Sequence, residues 1–404
     1  MDYNFQIEQL KSALEELGSP HLSIPVVTVS GTNGKGSAAV MLNDILSASS
    51  KKTGLYTSPH IFDFTERIKI NQAAISKKRF RKILGEIRDA EKISGAQLTK
   101  FETVTCAAIK YFSDERCDIS VMETGLGGRL DATNVCENKL LSLVTPISVE
   151  HTQYLGSTIE EIALEKAGII KKESIVVDYS GSEIISNRGS ESGSKVYRLG
   201  TDWYVDDIHP LEYGNYSFTL IFGDYRIEDI VLSLKGRHQC YNAAAALTAA
   251  LALGFRDTDI IKKAVSNSRN SGRMEMFSLP EDRTFVVDAA HNPAGMEKVK
   301  DFIEEWKPEK SRLHIIIGVY KDKDYAKMAE IIKPLADYVW VLKPESERGL
   351  DAMALADIFG KNCKAVNSYN EAQSNALSTM HPGDWLVACG SFSIVRHALN
   401  AVGL

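Results

Sequence analysis

Residues 26–46 read VVTVSGTNGKGSAAVMLNDIL, a β-prone run followed by a glycine-rich turn and a stretch of helical periodicity. The run at 26–29 favours a buried strand, and Val40, Met41 and Ile45 fall on one face of the helix that follows. In a phosphate-binding loop, the N–H groups of such a turn and the helix N-terminus surround phosphate oxygens. This segment therefore predicts an α/β fold with an anion-binding turn.

The loop departs from the commonest consensus sequence of this motif. Gly36 separates Lys35 from Ser37, and the spacer between the first glycine and Gly34 is short. One interpretation is a plain strand-to-helix turn in which the glycines serve only backbone geometry. The concentration of glycine around a lysine at a helix N-terminus favours nucleotide binding instead. In that case Lys35 reaches the β- and γ-phosphates and Ser37 contacts a metal ion.

Length and composition describe an ordinary soluble globular protein. The chain has 404 residues, of which 44% are hydrophobic and 25% charged, and this size predicts two domains. A net charge of −6 supplies no basic stripe, so we expect no nucleic-acid partner. No apolar run reaches the length of about 18 residues that a membrane span needs, and we expect no membrane partner. Residues 1–17 read as an amphipathic helix rather than a signal peptide.

The cysteines indicate the compartment. Six are scattered along the chain without a Cys-x-x-Cys pair or a Cys/His cluster. Small buried thiols explain this usage better than disulfides or metal ligands do. We therefore expect a reducing, cytoplasmic location.

Strand-like and helical patterns alternate between residues 24 and 177, which predicts right-handed crossovers and a mostly parallel sheet. The predicted strands are 24–29, 118–122, 140–147 and 174–178, and the predicted helices are 36–50, 76–94, 101–113 and 158–170. The Ser/Gly-rich segment 180–195 reads as an exposed, mobile loop. Antiparallel strands are expected up to residue 235, followed by helices at 239–253 and 257–266.

The polar segment 266–273 is the best candidate for a linker, and the alternation restarts after it. Strands are predicted at 284–288, 313–319, 337–342 and 385–389, and helices at 295–306, 324–336, 350–360 and 370–379. The sequence thus predicts an N-terminal P-loop domain with a mostly parallel sheet and a smaller C-terminal Rossmann-like α/β domain.

Polar residues follow two strands of the first domain. Glu123 ends one strand and His151 follows another, at the sheet edge where ligands of open α/β sheets gather. An acid there commonly holds the Mg²⁺ of a nucleotide. A solvated carboxylate and a structural histidine are the alternatives. Arg129, in the glycine-rich loop after Glu123, suits an anion or a carboxylate substrate, although a plain loop is also possible.

Lys166 lies on the apolar face of a helix that the pair Ser157 and Glu160 is predicted to cap. Such a lysine either extends its ammonium group to solvent or has lost its charge or found an acid. In the second half, Asp288 ends a strand, and His291 and Asn292 precede a helix. That arrangement indicates a nucleotide or phosphate contact, with a capping turn as the alternative.

The segments SGTNGKGS, YTSPH, ETGLGGRLDATN, EHTQYLG, EKAGIIK, GRHQCYNAAAA, SGRMEM and DAAHNPAG occur in this order. Together they resemble folylpolyglutamate synthase/dihydrofolate synthase, a branch of the Mur ligase family, from about residue 17 to the C-terminus. The resemblance implies an ATP-binding central domain at 1–268 and a glutamate-ligase domain at 273–404, with the linker as hinge.

The resemblance also implies a role for each candidate residue. The catalytic residues would be Lys35, Lys166 and His291, with Lys166 carbamylated and thereby turned into an anion. The ATP-binding residues would be Gly31, Thr32, Asn33, Gly34, Lys35, Gly36, Ser37, Asn242, Arg273 and Asp288. The residues that hold Mg²⁺ would be Ser37, Ser58, Glu123 and His151, with K⁺ as an optional further cation.

The implied reaction is an ATP-dependent amide ligation in a monomer. ATP phosphorylates the carboxylate of folate or dihydropteroate, and the amine of L-glutamate attacks the acyl phosphate. The first glutamate, later glutamates or both could be added. The alternatives are a Mur-type ligase for a non-folate acid and a P-loop ATPase or phosphotransferase without ligation.

Overall fold

The strand that leads into the glycine turn is Val26–Ser30, an interior strand of an eight-stranded sheet. The computed structural model describes residues 7–403, so residues 1–6 of the predicted N-terminal helix, and Leu404, lie outside it. The strands are β1 (Val26–Ser30), β2 (Thr53–Tyr56), β3 (Ile68–Ile70), β4 (Ala73–Ala74), β5 (Ile119–Glu123), β6 (Lys139–Val144), β7 (Ile175–Asp178), β8 (Lys195–Arg198), β9 (Trp203–Pro210), β10 (Tyr216–Phe222), β11 (Tyr225–Val231), β12 (Glu275–Leu279), β13 (Arg283–Val287), β14 (Leu313–Ile317), β15 (Tyr338–Val341), β16 (Cys363–Ala365) and β17 (Trp385–Cys389).

Helices alternate with these strands through most of the chain. They are α1 (Ile7–Glu16), α2 (Pro20–Ser23), α3 (Lys35–Ala48), α4 (Lys77–Ser94), α5 (Lys100–Asp114), α6 (Thr152–Leu155), α7 (Ile159–Ala167), α8 (Glu183–Glu191), α9 (His238–Ala252), α10 (Thr258–Asn267), α11 (Pro293–Trp306), α12 (Tyr325–Ile332), α13 (Ala352–Phe359), α14 (Tyr369–Thr379) and α15 (Phe392–Ala401). Short 3₁₀ turns lie at Phe64–Arg67, Ala132–Val135, Glu212–Gly214 and Lys333–Leu335.

The first sheet has the order β4-β3-β2-β5-β1-β6-β7-β8. The six neighbouring strands β2, β5, β1, β6, β7 and β8 pair in parallel. At one edge, β3 pairs antiparallel with both β2 and β4. Every residue of β1 and β5 is buried, as expected for strands covered on both faces. Because the carboxyl ends of parallel strands meet at one edge, the residues after β1, β2, β5 and β6 gather there.

The segment 180–195 is not the mobile loop that its composition predicts. It contains helix α8 and the start of β8, which extends the parallel sheet. Ile185 is fully buried in an apolar cluster with Val176. A Cβ on Gly189 would lie 2.5 Å from Val196 Cγ2, so the glycine lets the helix approach the sheet closely. Tertiary packing therefore overrides the weak helical preference of a Ser/Gly-rich segment.

The antiparallel strands predicted before residue 235 form a separate three-stranded sheet of order β11-β10-β9. The last sheet has the order β12-β13-β17-β14-β15-β16 and is parallel except for β12. The prediction of a mostly parallel N-terminal sheet and a smaller C-terminal α/β domain is confirmed. Strands β12 and β16 and helix α15 had not been predicted.

The described chain divides into two units. The first comprises residues up to His209 together with Ser217–Ser233 and Gln239–Arg269. The second comprises Pro210–Tyr216, Leu234–His238 and the residues from Asn270 onward. The functional domains at 1–268 and 273–404 stay predictions.

The short segments are packed into the second unit by specific contacts. Tyr216 is 1% exposed, and its hydroxyl accepts a hydrogen bond from Trp306 Nε1 at 3.0 Å. The two rings meet edge-on, with centroids 5.9 Å apart. Among residues 7–403, no helix is long and apolar enough to cross a membrane.

Replacing Leu14 with alanine should destabilise the first unit by about 2–4 kcal/mol, because this side chain is fully buried against the core beneath α1. The matched control is Leu22→Ala, since Leu22 is 47% exposed and should change stability by less than about 0.5 kcal/mol. Urea denaturation followed by circular dichroism measures both. Equal effects of the two substitutions would contradict the packing of α1.

Candidate active site

The glycine loop between β1 and α3 is held in a shape that only glycine allows at two positions. Gly31 has a φ of +145°, and a Cβ there would lie 1.9 Å from Thr145 Oγ1. Gly34 has a φ of +89°, and its Cβ would lie 2.4 Å from Asn242 Oδ1. The structure therefore brings Asn242, on α9, against the loop. A side chain at either glycine would require the loop to move.

Hydrogen bonds fix the rest of the loop. The Thr32 backbone N–H donates to Pro146 O at 2.8 Å, and its hydroxyl donates to Ser148 O at 3.1 Å. Lys35 Nζ donates to the carbonyl oxygens of Gly31 and Thr32 at 2.9 and 3.0 Å. The lysine thus folds back over the loop. Its charge and the N-terminus of α3 together create a positive region that suits phosphate.

Lys166 reaches the same loop from helix α7. It is 4% exposed, and its Nζ donates to Gly31 O at 2.7 Å. Burial, followed by the charge of Lys35, lowers the pKa of Lys166 to about 7. The acids Glu150 and Asp131 act in the opposite direction. Of the two interpretations of this lysine, the structure therefore supports an amine that loses its charge near neutral pH.

Helix α7 is anchored at both ends. Thr158 and Glu161 form the N-terminal capping box, so the prediction of Ser157 and Glu160 is wrong by one residue. The reason is that the helix begins at Ile159, which makes Glu161 the residue that reaches back to the cap. Near the C-terminal end, the Arg129 N–H donates to Glu165 O at 2.7 Å.

The loop after β5 is organised internally rather than left open. Asp131 is 1% exposed and accepts hydrogen bonds from the backbone N–H groups of Gly125, Leu126 and Thr133, each at 2.9 Å. Burial raises the pKa of Asp131. The guanidinium of Arg129, which the sequence suggested for an anion or carboxylate ligand, donates to Glu165 Oε1 from Nε and Nη2, at 3.1 and 2.8 Å.

Two of the predicted metal ligands lie together. Glu123 ends β5 and is 3% exposed, and its Oε2 accepts a hydrogen bond from the Ser58 N–H at 3.0 Å. Because β2 and β5 are paired in parallel, Ser58 and Glu123 leave the sheet at the same edge. Ser37, a third predicted ligand, is 3% exposed in the first turn of α3.

His151 follows β6 as predicted and has an unusual backbone. Its φ of 53° is left-handed, a conformation that costs a non-glycine residue about 1–2 kcal/mol. Its Nε2 lies 3.1 Å from Glu150 Oε1. Within residues 7–403 no three His, Cys, Asp or Glu side chains form a metal cluster.

The second unit brings together three further candidates. Asp288 follows β13; its Oδ2 accepts from the Met274 N–H at 2.8 Å and its Oδ1 from the Ala290 N–H at 2.7 Å. Burial raises the pKa of Asp288, while the charge of Arg273 acts to lower it. The Nδ1 of His291 lies 2.8 Å from Ala289 O. Since a carbonyl only accepts, Nδ1 carries a proton and is the donor of this hydrogen bond.

The helix that follows begins as the sequence predicts. Pro293 is the first residue of α11, and the Asn292 side chain caps it by accepting a hydrogen bond from Gly295 N–H at 2.7 Å. One residue that the sequence reasoning missed contacts two candidates. Phe392 begins α15 and lies against both Arg273 and His291. The Gly-Ser pair directly after strand β17 is the signal that could have revealed it.

Both halves of the chain match families of known proteins. Residues 29–250 match the Mur ligase middle domain, and residues 272–392 match the Mur ligase glutamate ligase domain. The dihydrofolate synthase/folylpolyglutamate synthase of Escherichia coli is 32% identical over 385 residues, which cover 93% of this chain and 86% of that protein.

A Haloferax volcanii relative, whose name joins folylpolyglutamate synthase to dihydropteroate synthase, is 31% identical over 406 residues. The match covers 97% of this chain but 48% of the relative, so the chain spans about half the length of that protein.

Solved structures are similar over nearly the whole chain. Escherichia coli FolC in complex with DHPP and ADP has a TM-score of 0.89 and 30% identity, covering 98% of this chain and 92% of that chain. The bifunctional folylpolyglutamate synthase/dihydrofolate synthase of Yersinia pestis, complexed with AMPPNP and Mn ion, has a TM-score of 0.87 and 26% identity. It covers 98% of this chain and 93% of that chain.

Replacing Lys166 with methionine should change how stability depends on pH. Above pH 7 folded Lys166 has released a proton that the unfolded chain, with its ordinary pKa of 10.5, still binds. The wild-type protein should therefore gain stability relative to Lys166→Met as pH rises from 7 to 9, by on the order of 1 kcal/mol per pH unit. Urea denaturation at pH 7, 8 and 9 in CO₂-free buffer measures the difference. The exposed Lys172, replaced by methionine, is the control, and parallel profiles for wild type and Lys166→Met would contradict the shifted pKa.

Proposed function

Because this chain belongs to the folylpolyglutamate synthase/dihydrofolate synthase branch of the Mur ligase family, we propose that it is an ATP-dependent ligase that joins L-glutamate to a folate-type carboxylate. The observation that carries the proposal is the convergence of Lys35 and Lys166 on the carbonyl oxygen of Gly31. The chemistry expected of a family member needs a phosphate-binding lysine and an ionisable lysine at one loop, and the first unit supplies both.

The reaction has two steps in this proposal. A carboxylate oxygen of the folate-type acid attacks the γ-phosphorus of ATP, the bond to ADP breaks, and an acyl phosphate forms. The amine nitrogen of L-glutamate then attacks the acyl carbon, and inorganic phosphate leaves as the amide bond forms. Lys35 and the N–H groups of the loop hold the phosphates and oppose the negative charge that develops on them.

We retain the ATP-binding residues that were proposed from the sequence. Within the first unit we assign the loop residues 31–37 and Asn242 to ATP binding, and within the second unit we assign Arg273 and Asp288 to it. Support comes from the tight fit of Asn242 against Gly34 and from the charge of Arg273 acting on Asp288. Asp288 also holds two backbone N–H groups, so it shapes the segment that carries Arg273.

The first unit fits a divalent cation bound with the nucleotide. Glu123 is a buried carboxylate beside Ser58, and Ser37 and His151 belong to the segments that follow β1 and β6. Carboxylate and hydroxyl oxygens are ligands that Mg²⁺ prefers. Mg²⁺, when bound, would neutralise charge on the transferring phosphoryl group. We assign Ser37, Ser58, Glu123 and His151 to its binding and keep K⁺ as an optional further cation.

Lys166 is proposed to be carbamylated. Its lowered pKa makes the neutral amine abundant near pH 7, and only the neutral nitrogen can attack CO₂. An N–C bond forms, one proton leaves to water, and the side chain becomes an anion. The carbamate would place a negative charge beside the positive charge of Lys35. A protonated Lys166 would instead repel Lys35.

His291 is proposed to accept the proton that the glutamate amine loses. The hydrogen bond from Nδ1 to Ala289 O leaves Nε2 as the proton acceptor of the neutral ring. The monomeric state and the cytoplasmic location expected from the sequence stay predictions.

Phosphate release from MgATP and L-glutamate, with dihydropteroate in one tube and tetrahydrofolate in another, tests the function. We expect phosphate release only when both glutamate and a pterin acid are present. The pterin acid is needed to form the acyl phosphate, and glutamate is needed to consume it. The preferred acid identifies whether the enzyme adds the first glutamate, later ones or both. Phosphate release that depends on neither glutamate nor a pterin acid would overturn the proposal in favour of a plain ATPase. Release that needs glutamate and a different acid would indicate a Mur-type ligase for a non-folate acid.

Lys166→Ala should reduce ligation at least about 100-fold, and a small carboxylate such as formate or acetate should restore part of the rate by replacing the lost anion. The matched control is Lys35→Ala, which should abolish ATP turnover without rescue, because no small anion replaces a cation. Steady-state amide formation with and without 100-fold excess carboxylate over enzyme measures both. Full activity of Lys166→Ala, or equal rescue of both variants, would contradict the carbamate.

A further inference from the structure

The second unit places one aromatic ring against two of the candidate residues. The Cζ atom of Arg273 lies 5.2 Å from the centre of the Phe392 ring, and the His291 ring lies 6.0 Å from it at an angle of 48°. We infer that Phe392 is a positioning residue that holds the Arg273 guanidinium and the His291 ring in their working orientations. The inference rests on the proposed function, in which Arg273 binds ATP and His291 accepts a proton.

The backbone of Arg273 is already fixed without Phe392. Gly272 has a φ of +73°, and its carbonyl accepts a hydrogen bond from Ala289 N–H at 2.9 Å. Met274 is 1% exposed in a left-handed conformation with a φ of 48°, and its N–H is held by Asp288 Oδ2 at 2.8 Å. A strained residue of this kind persists only where its surroundings determine it. The remaining freedom of Arg273 therefore lies in its side chain.

Phe392 restricts that side-chain freedom. An arginine over an aromatic face within about 6 Å of its centre is attracted to the ring quadrupole. Because the guanidinium is planar, it can stack on the ring while its N–H groups stay directed outward around the edge. Those donors are the ones that recognise phosphate oxygens. A lysine at this position would lack this geometry, since its ammonium group is a point charge on a flexible stem.

The His291 ring is constrained by two contacts of different kinds. The hydrogen bond from Nδ1 to Ala289 O fixes which nitrogen carries the proton. The packing of the ring against Phe392 limits its rotation. One phenylalanine thus couples a residue assigned to phosphate binding with a residue assigned to proton transfer.

Phe392 is itself placed with precision. Gly390, at the end of β17, has a φ of +100°, and its N–H donates to Ala290 O at 3.0 Å. A Cβ on Gly390 would lie 2.7 Å from Gly318 O, so the backbone at residue 390 packs directly against the backbone at residue 318. The fully buried Ser391 caps α15 by accepting a hydrogen bond from Ile394 N–H at 3.4 Å. Phe392 is therefore the first residue of a helix, and the hydrogen bond from Gly390 to Ala290 connects the start of that helix to the loop that carries His291.

The test compares Phe392→Leu, which keeps an apolar side chain but removes the ring face, with Phe392→Tyr, which keeps the ring. We expect Phe392→Leu to raise KM for ATP, and Kd for a non-hydrolysable ATP analogue, about fivefold, since one half-buried cation–π contact is worth about 1 kcal/mol. Phe392→Tyr should stay within about twofold of wild type. The control is Phe277→Leu, a half-buried phenylalanine of β12 in the same unit, which should leave both constants unchanged.

A double-mutant cycle separates positioning from general packing. In an Arg273→Met background, Phe392→Leu should have no further effect on Kd for the ATP analogue, because the guanidinium that the ring holds is gone. Thermal unfolding of each variant reports the structural contribution. Should Phe392→Leu fail to fold, Phe392→Met takes its place as a variant without a ring.

An unchanged Kd in Phe392→Leu, or the same rise with and without Arg273, would overturn the inference. Because Kd for the analogue is measured without turnover, this result is independent of the ligase assay. A wild-type protein that binds the analogue but never requires glutamate would refute the proposed function alone.

Discussion

The carbonyl oxygen of Gly31 accepts a hydrogen bond from each of two lysines, and the site of the first unit is organised around that atom. Lys35 approaches from the start of α3 and Lys166 from the end of α7. A carbonyl has two acceptor positions, so both donors can be satisfied, but two ammonium charges so close together repel. Burial first, and then this repulsion, lower the pKa of Lys166 to about 7. The packing around this loop thereby favours the neutral form of the Lys166 amine near pH 7.

Much of the fold could be predicted from periodicity. Strand β1 is an uninterrupted β-prone run and helices α4 and α5 follow a 3.6-residue pattern, and their predicted limits differ by at most two residues from those observed. Helix α8 could not be predicted, because serine and glycine have weak helical preference and the helix depends on Ile185 meeting Val176. The edge strand β12 was missed because its sequence EMFSL has no clear apolar run or alternation, although it pairs with β13 across a short turn.

The candidate site divides in the same way. Chemistry that is carried by residue type at a strand end, such as Glu123 or Asp288, is visible in the sequence. Chemistry that depends on a partner far along the chain is not. The guanidinium of Arg129 pairs with Glu165, and only folding brings the two side chains together. Phe392 was missed because an aromatic residue after a strand is usually part of a core, and the Gly-Ser pair before it was its only local signal.

The second unit is assembled from three pieces of chain, and this limits how the protein can be divided by evolution or by hand. A cut before Asn270 would leave Pro210–Tyr216 and Leu234–His238 on the wrong fragment. The remaining piece would lose the buried hydroxyl of Tyr216, and Trp306 Nε1 would lose its acceptor. Recombination that exchanges only the C-terminal region would meet the same loss. The second unit is therefore not a contiguous segment of the chain.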